Sequence, residues 1–139
     1  KKEYLNPTPT VDIVCENEKE ELLFIQRKNE PIGWALPGGF IDYGEVAEDA
    51  ARRELQEETG IKVDSKELRL IGVFSDPQRD PRMHTITIAY SCRAIGRAIA
   101  GDDANDAVFF SPKSLPTLAF DHGKIIDKYL NSKKLLTGE

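Results

Sequence analysis

Very little in this sequence points to a secreted, metal-stapled or membrane-embedded chain. Cysteine is scarce, with only Cys15 and Cys92 among 139 residues. Two cysteines cannot build a disulfide framework, and their separation fits no zinc site. Buried, reduced thiols are expected instead. No apolar run approaches the ~20 residues of a membrane span. The opening KKEYLNPTPT lacks the apolar centre of a signal peptide, so no membrane association and a cytoplasmic location are expected. Positive charge is not in excess: 19 Lys and Arg stand against 24 Asp and Glu, a net charge of -5. That balance argues against a general nucleic-acid binder, which relies on a basic face. There is no repeat, no low-complexity tract and no sign of a serine or cysteine nucleophile. What remains is 40% hydrophobic and 31% charged, the profile of one domain over residues 1–139. A chain of this mass hides roughly 68% of its extended surface on folding and can support its own core.

Hydrophobic patterning predicts mixed α/β structure, α+β rather than a regular βαβ series. Val11–Cys15 and Glu21–Arg27 read as a hairpin around the polar turn 17–20. Trp34–Leu36 is a short apolar piece, followed by a turn at Pro37-Gly38-Gly39. From about Glu45 to Thr59 the period becomes helical. Ala47, Ala50, Ala51 and Leu55 form a small-residue stripe that lets the helix lie close to a sheet. Asp42 and Glu45 have the spacing of a capping box, and Gly60 is a natural left-handed stop on which Ile61 can fold back toward Leu55. Strands are predicted at 68–75, 85–93 and 107–110. Ser111-Pro112 predicts a short helix start. A last helix is predicted from His122 to about Ser132, capped by Asp121 and stapled by Phe120 onto Ile125. His122 reads as part of that first turn rather than as a base, and Trp34 and Phe40 as core.

The middle helix breaks a local rule. Glu54, Glu57 and Glu58, at i, i+3 and i+4, share one face. Two lie in the last turn, at the negative end of the helix dipole, where an acid costs ~0.3–1 kcal/mol. Such a violation just after a glycine-rich turn suggests a functional site. Hard carboxylate oxygens in this pattern favour Mg²⁺ or Mn²⁺ over zinc.

The string GFIDYGEVAEDAARRELQEETGI, from Gly39 to Ile61, resembles the Nudix box with every fixed position filled: Gly39, Glu45, then Arg53-Glu54-Leu55-Gln56-Glu57-Glu58-Thr59-Gly60-Ile61. Average residue usage makes a chance match on the order of 10⁻⁸. The resemblance implies an α/β/α sandwich around a mixed β-sheet. It also implies divalent-metal hydrolysis of a pyrophosphate bond in a nucleoside diphosphate linked to another group. By position it implies Glu57 and Glu58 as metal ligands and Glu54 as ligand or water-activating base. Arg53 orients box glutamates, and Glu45 supports the network. Gly38 and Gly39 shape the preceding loop, where backbone groups of Gly38 approach the metal. The chemistry agrees: metal ions screen the diphosphate and align water, with no covalent step from the protein.

The segment SDPQRDPRMH (75–84) carries Arg79 and Arg82, candidates for phosphate contact. The bland alternative is an arginine–aspartate loop closed through Asp76 and Asp80. With GWALPGGF, GDDA (101–104) and FDH (120–122), this segment resembles a prokaryotic ADP-ribose pyrophosphatase branch, implying cleavage to AMP and ribose 5-phosphate. Asp102, Asp103 and Asp106 are candidates for an additional acid brought from a late loop. Other nucleoside diphosphate derivatives or an oxidised nucleoside triphosphate are the rival substrates. A non-catalytic ADP-ribose sensor is the rival of another class. Such regulators add a DNA-binding domain, and about 20 residues after Asp121 are too few for one. The expected partner is a small nucleotide. Related enzymes often pair, so a homodimer is open to the chain.

Overall fold

The computed structural model describes residues 4–94 and 106–137. Seven strands and two helices follow in the order β1 (Thr8–Glu16), β2 (Leu22–Arg27), β3 (Gly33–Ala35), β4 (Gly38–Phe40), α1 (Ala47–Thr59), β5 (Arg69–Phe74), β6 (Thr85–Arg93), β7 (Ala107–Phe110) and α2 (His122–Thr137). The strands form one mixed sheet in the order β3-β2-β1-β6-β5, with β4 also pairing β1 and β7 pairing β2. Strands β1 and β6 pair in parallel, Thr8 opposite Thr85 through Glu16 opposite Arg93, and the other described strand pairs are antiparallel.

Strand β1 is buried from Thr10 to Glu16 because a helix covers each face of the sheet. Its two-residue period separates the cores. Val11, Ile13 and Cys15 pack with Ala50, Ala51 and Leu55 of α1. Val14 joins Leu22, Phe24, Ile125 and Ile126 beneath α2. The alanines of α1 bring its backbone close to β1, and Leu55 locks into the same cluster as Ile61. Truncating such a fully buried leucine costs about 2–5 kcal/mol. Cys15 and Cys92 face one another in the β1–β6 register as buried cysteines not joined in a disulfide, as expected.

Several local expectations change. Of the expected turn Pro37-Gly38-Gly39, both glycines instead belong with Phe40 to strand β4, with Asp12 opposite Gly38 and Val11 opposite Gly39. A Cβ at Gly38 would stand 2.2 Å from the Val11 carbonyl oxygen, so glycine serves close approach here. Helix α1 starts at Ala47, and its N-cap Val46 has no side-chain cap. The Asp42 amide donates to Glu45 Oε1 at 3.0 Å, closing the turn before the helix. A capping box forms instead at Asp64 and Glu67. Gly60 ends α1 in the left-handed region (φ 77°), its amide donating to the Gln56 carbonyl at 2.8 Å. Ser111 closes a turn rather than a helix, accepting the Ser114 amide on its carbonyl. At the entry to α2, the Asp121 carboxylate binds Arg79 instead of capping, and the Phe120 ring lies against His122 rather than stapling onto Ile125. No described helix is long and apolar enough to cross a membrane.

Candidate active site

Arg53 organises the acidic face of α1. Its Nε and Nη2 donate to the two oxygens of Glu45 at 2.8 and 2.9 Å, and Nη1 donates to Glu54 at 2.8 Å. Nη1 also reaches Glu57 at 3.5 Å, and Nη2 donates to the Phe40 carbonyl at 3.1 Å. One guanidinium therefore ties three glutamates and the end of β4 into a fixed array. The Arg53 hydrogen bonds hold the Glu45 carboxyl down at about 2. The Glu45 bonds, opposed by desolvation, push Arg53 above its ordinary value.

Glu54 and Glu58 behave oppositely to Glu45. Burial pushes the Glu54 carboxyl up in spite of Arg53. Burial pushes Glu58 up to about 8, aided by the nearby Glu54 and Asp12 and opposed by the Gly38 amide. That amide donates to Glu58 Oε2 at 3.1 Å. Glu54 lies flat against the backbone of β4: a Cβ on Gly39 would fall 2.7 Å from each of its carboxylate oxygens. Gly39 thus makes room for a carboxylate.

Two concavities meet at Glu54. A groove of about 430 Å³ is lined by Glu54, Glu57, Glu58 and Asp106. Asp106 stands 2.9 Å from Lys28 Nζ. It is the one described member of the three late acids, and Asp102 and Asp103, with the GDDA motif, lie outside the described residues. The second concavity is a cleft of about 240 Å³ on the other side of Glu54, with Gly38, Gly39, Arg27, Arg82, Phe40 and Phe120 in its wall. The Arg27 and Arg82 guanidiniums lie 4.9 and 5.2 Å from the Phe120 ring centroid, and Arg82 lies 5.6 Å from that of Phe40. Beneath the cleft, the buried Thr10 Oγ1 has no hydrogen-bond partner among the described residues.

The two loop arginines part company. Arg82 grips Asp80 with Nε and Nη2 at 3.1 and 2.9 Å, in line with the internal pairing considered above, yet it stays about one-third exposed at the cleft. Burial works against the Asp80 charge, but the Arg82 bonds outweigh it and hold the carboxyl below its usual range. Arg79 is buried and pairs with neither Asp76 nor Asp80 through its side chain. It forks onto Asp121 at 3.0 and 2.7 Å and donates to Thr85. Arg79 also lines the cleft, but its Nε, Nη1 and Nη2 are engaged by Asp121 and Thr85. Sequence reasoning missed Arg27, whose cue was a lone cation ending an apolar strand, and it missed Phe120 and Phe40 as cleft walls. Phe40 is 41% exposed rather than core, whereas Trp34 does pack beneath α2, edge-on to Phe110.

The donors fit a hard divalent cation. Three glutamates and Asp106 share one groove; burial first, and neighbouring carboxylates second, raise the Glu54 and Glu58 carboxyls, and a cation would offset both costs. Among the described residues no three acids converge into a closed cage, because Arg53 holds Glu54 and Glu57 while the Gly38 amide holds Glu58.

Comparison with known proteins agrees with this geometry. The ADP-ribose pyrophosphatase of Methanocaldococcus jannaschii is 48% identical over 135 residues, covering 94% of this chain and 77% of that protein. The ADPR responsive transcriptional repressor NtrR of Acinetobacter baylyi is 32% identical, and the alignment spans 99% of this chain but 60% of the repressor. Among solved structures, the NUDIX domain of Shewanella oneidensis NrtR complexed with ADP ribose superposes with a TM-score of 0.82 at 27% identity, covering 93% of this chain and 90% of that one. The sequence profile of the NUDIX domain matches residues 6–129, and with the box residues assembled around Arg53 as described, the chain belongs to the Nudix family and is a Nudix hydrolase.

Proposed function

We propose that this chain, read as a single Nudix domain over residues 1–139, hydrolyses ADP-ribose to AMP and ribose 5-phosphate. The observation that carries the reading is the position of Glu54, between an acidic groove and a cleft walled by arginines and aromatic rings. The 48% identical pyrophosphatase supports the choice of substrate. Glu54, Glu57 and Glu58 would hold the cation, with a backbone oxygen of Gly38 beside them and Asp106 at the groove's rim. When bound, Mg²⁺ or Mn²⁺ screens the diphosphate charge and makes water a better nucleophile. Arg82 and Arg27 bind the phosphates from the cleft side, and Phe40 and Phe120 offer apolar faces to the organic part. Arg53 fixes the direction of Glu54, which serves as a cation ligand or as the base that accepts a proton from the attacking water. The new bond joins water oxygen to one phosphorus, and the bridging P–O bond breaks. The leaving phosphate departs as the second product.

A substrate panel tests this reading. AMP and ribose 5-phosphate should appear from ADP-ribose, with kcat/KM above that for nucleoside triphosphates. Turnover should vanish with excess chelator and return with Mg²⁺ or Mn²⁺. Sustained turnover in chelator would end the metal reading, and pyrophosphate release from a preferred triphosphate would end the ADP-ribose reading. The likeness to NtrR favours a second reading, an ADP-ribose sensor. It predicts tight binding of intact ADP-ribose with no products.

The arginines give a separate test. Arg82→Ala should lower kcat/KM for ADP-ribose about tenfold to a hundredfold, as loss of a charge-assisted contact worth ~1.5–3 kcal/mol requires. Arg82→Lys should recover only part, because lysine lacks the two-pronged donor. Arg79→Ala should instead lower Tm by several degrees, since it leaves Asp121 and Asp12 buried without their cation. Unchanged kcat/KM in Arg82→Ala would remove that residue from the substrate site.

A further inference from the structure

The segment joining β3 to β4 changes partners: Ala35 pairs with Ile25 of β2, and Gly38 pairs with Asp12 of β1. Between them, Leu36-Pro37-Gly38 has only two amide donors, because proline has none. Both end on side chains. The Gly38 amide serves Glu58 at 3.1 Å, and the Leu36 amide donates to His122 Nδ1 at 3.0 Å across 86 residues of sequence. His122 is 3% exposed. Since Nδ1 accepts, the ring proton sits on Nε2, which faces Asp12 Oδ1 at 3.3 Å. Asp12 in turn accepts from Thr87 Oγ1 at 2.6 Å, and it is the register partner of Gly38.

We infer that His122 is a positioning residue. Its imidazole pins Leu36 on one side and Asp12 on the other, so that the Gly38 amide stays aimed at Glu58. The role rests on the hydrolase reading for its effect on rate, but the pinning itself does not. The Asp121 carboxylate held by Arg79 and the Ala119 amide bonded to the Trp34 carbonyl at 2.8 Å fix the corner that carries the histidine. The entry turn of α2 thereby reaches the acidic groove without touching it.

The experiment compares His122→Asn, His122→Gln and His122→Ala with Ile126→Ala, a buried change in the same helix that packs in one cluster with Leu36 but makes neither of these hydrogen bonds. Asn places a polar atom near the Nδ1 position and can still take the Leu36 amide. Gln reaches the Nε2 position and cannot. His122→Ala and His122→Gln should lose about tenfold or more in kcat, with KM for ADP-ribose changed far less. His122→Asn should recover most of the loss. Hydrogen exchange at the Leu36 and Gly38 amides should accelerate in the Ala and Gln variants and stay slow in Asn. Ile126→Ala should lose a similar amount of Tm yet keep kcat. Equal kcat and equal amide exchange in Asn and Gln would overturn the inference, as would a matching kcat loss in Ile126→Ala. If the wild type turns over no nucleoside diphosphate, the hydrolase reading fails, while the amide exchange still decides the positioning role. Should the alanine variant not fold, the Asn and Gln pair carries the same contrast.

Discussion

Glu58→Gln is expected to cut kcat by about 10²–10³-fold, the scale for removing one preorganised charge from a reacting centre, while making the metal-free protein more stable at pH 8. Burial pushes the Glu58 carboxyl up to about 8 from an ordinary value of 4.5. Between those values the folded chain keeps a proton that the unfolded chain has released. Stability therefore falls as pH rises from about 4.5 toward 8. Gln never ionises, so its advantage is absent near pH 4 and complete above pH 8, with a rise of a few degrees in Tm. A divalent cation reverses the comparison, because it binds the wild-type carboxylate and stabilises the folded state. Binding must displace the Glu58 proton, so apparent metal affinity in the wild type should strengthen from pH 6 to 8. Melting curves at pH 5 and 8, with chelator and with Mg²⁺, check each arm. Wild-type turnover in the variant would remove Glu58 from the centre. An equal Tm difference at both pH values would refute the ionisation account.

Elements with strong local signals were legible in the sequence. Strand β6 at 85–93, strand β7 at 107–110 and the stop at Gly60 follow from apolar alternation and left-handed glycine chemistry. The acid spacing of α1 was equally legible, since i, i+3 and i+4 must share a face whatever surrounds the helix. Features set by distant partners were not. Pro37-Gly38-Gly39 reads as a turn locally, and only the presence of β1 makes Gly38–Phe40 a strand. Asp121 has the residue type and place of a cap, but the buried Arg79, 42 residues away, takes both of its oxygens. Arg27 and Phe120 come from elements far apart in sequence, and nothing local marks them as neighbours. His122 was legible as the first turn of α2, whereas its hydrogen bond from Leu36 was not.

Arg53→Ala is expected to lower kcat about as much as Glu58→Gln, but with the opposite effect on metal affinity. The side chain binds Glu45 through two hydrogen bonds, Glu54 at 2.8 Å and Glu57 at 3.5 Å, and lies 3.6 Å from Asp42. Removing it withdraws a positive charge from beside the groove and frees Glu54 to rotate. The lost charge favours cation binding, so the apparent metal affinity should hold or tighten. The lost orientation of Glu54 should appear in kcat, because misplacement by about 1 Å can cost a hundredfold. Glu57→Gln should do the reverse to the metal titration, weakening affinity by deleting a donor. Arg53→Lys keeps the charge but cannot bridge Glu45, Glu54 and the Phe40 carbonyl together, so it should stay well below wild-type kcat. Stability supplies a second axis. The Arg53 bonds hold Glu45 down at about 2 from 4.5, so their contribution is present above about pH 4.5 and disappears as pH falls toward 2. The Tm gap between wild type and Arg53→Ala should therefore be widest near neutrality and should narrow on acidification. Metal titrations monitored by turnover, paired with melting at pH 7 and pH 3, separate the alternatives. An Arg53→Ala variant whose kcat is rescued fully by excess metal would show that the arginine supports cation binding and not the direction of Glu54.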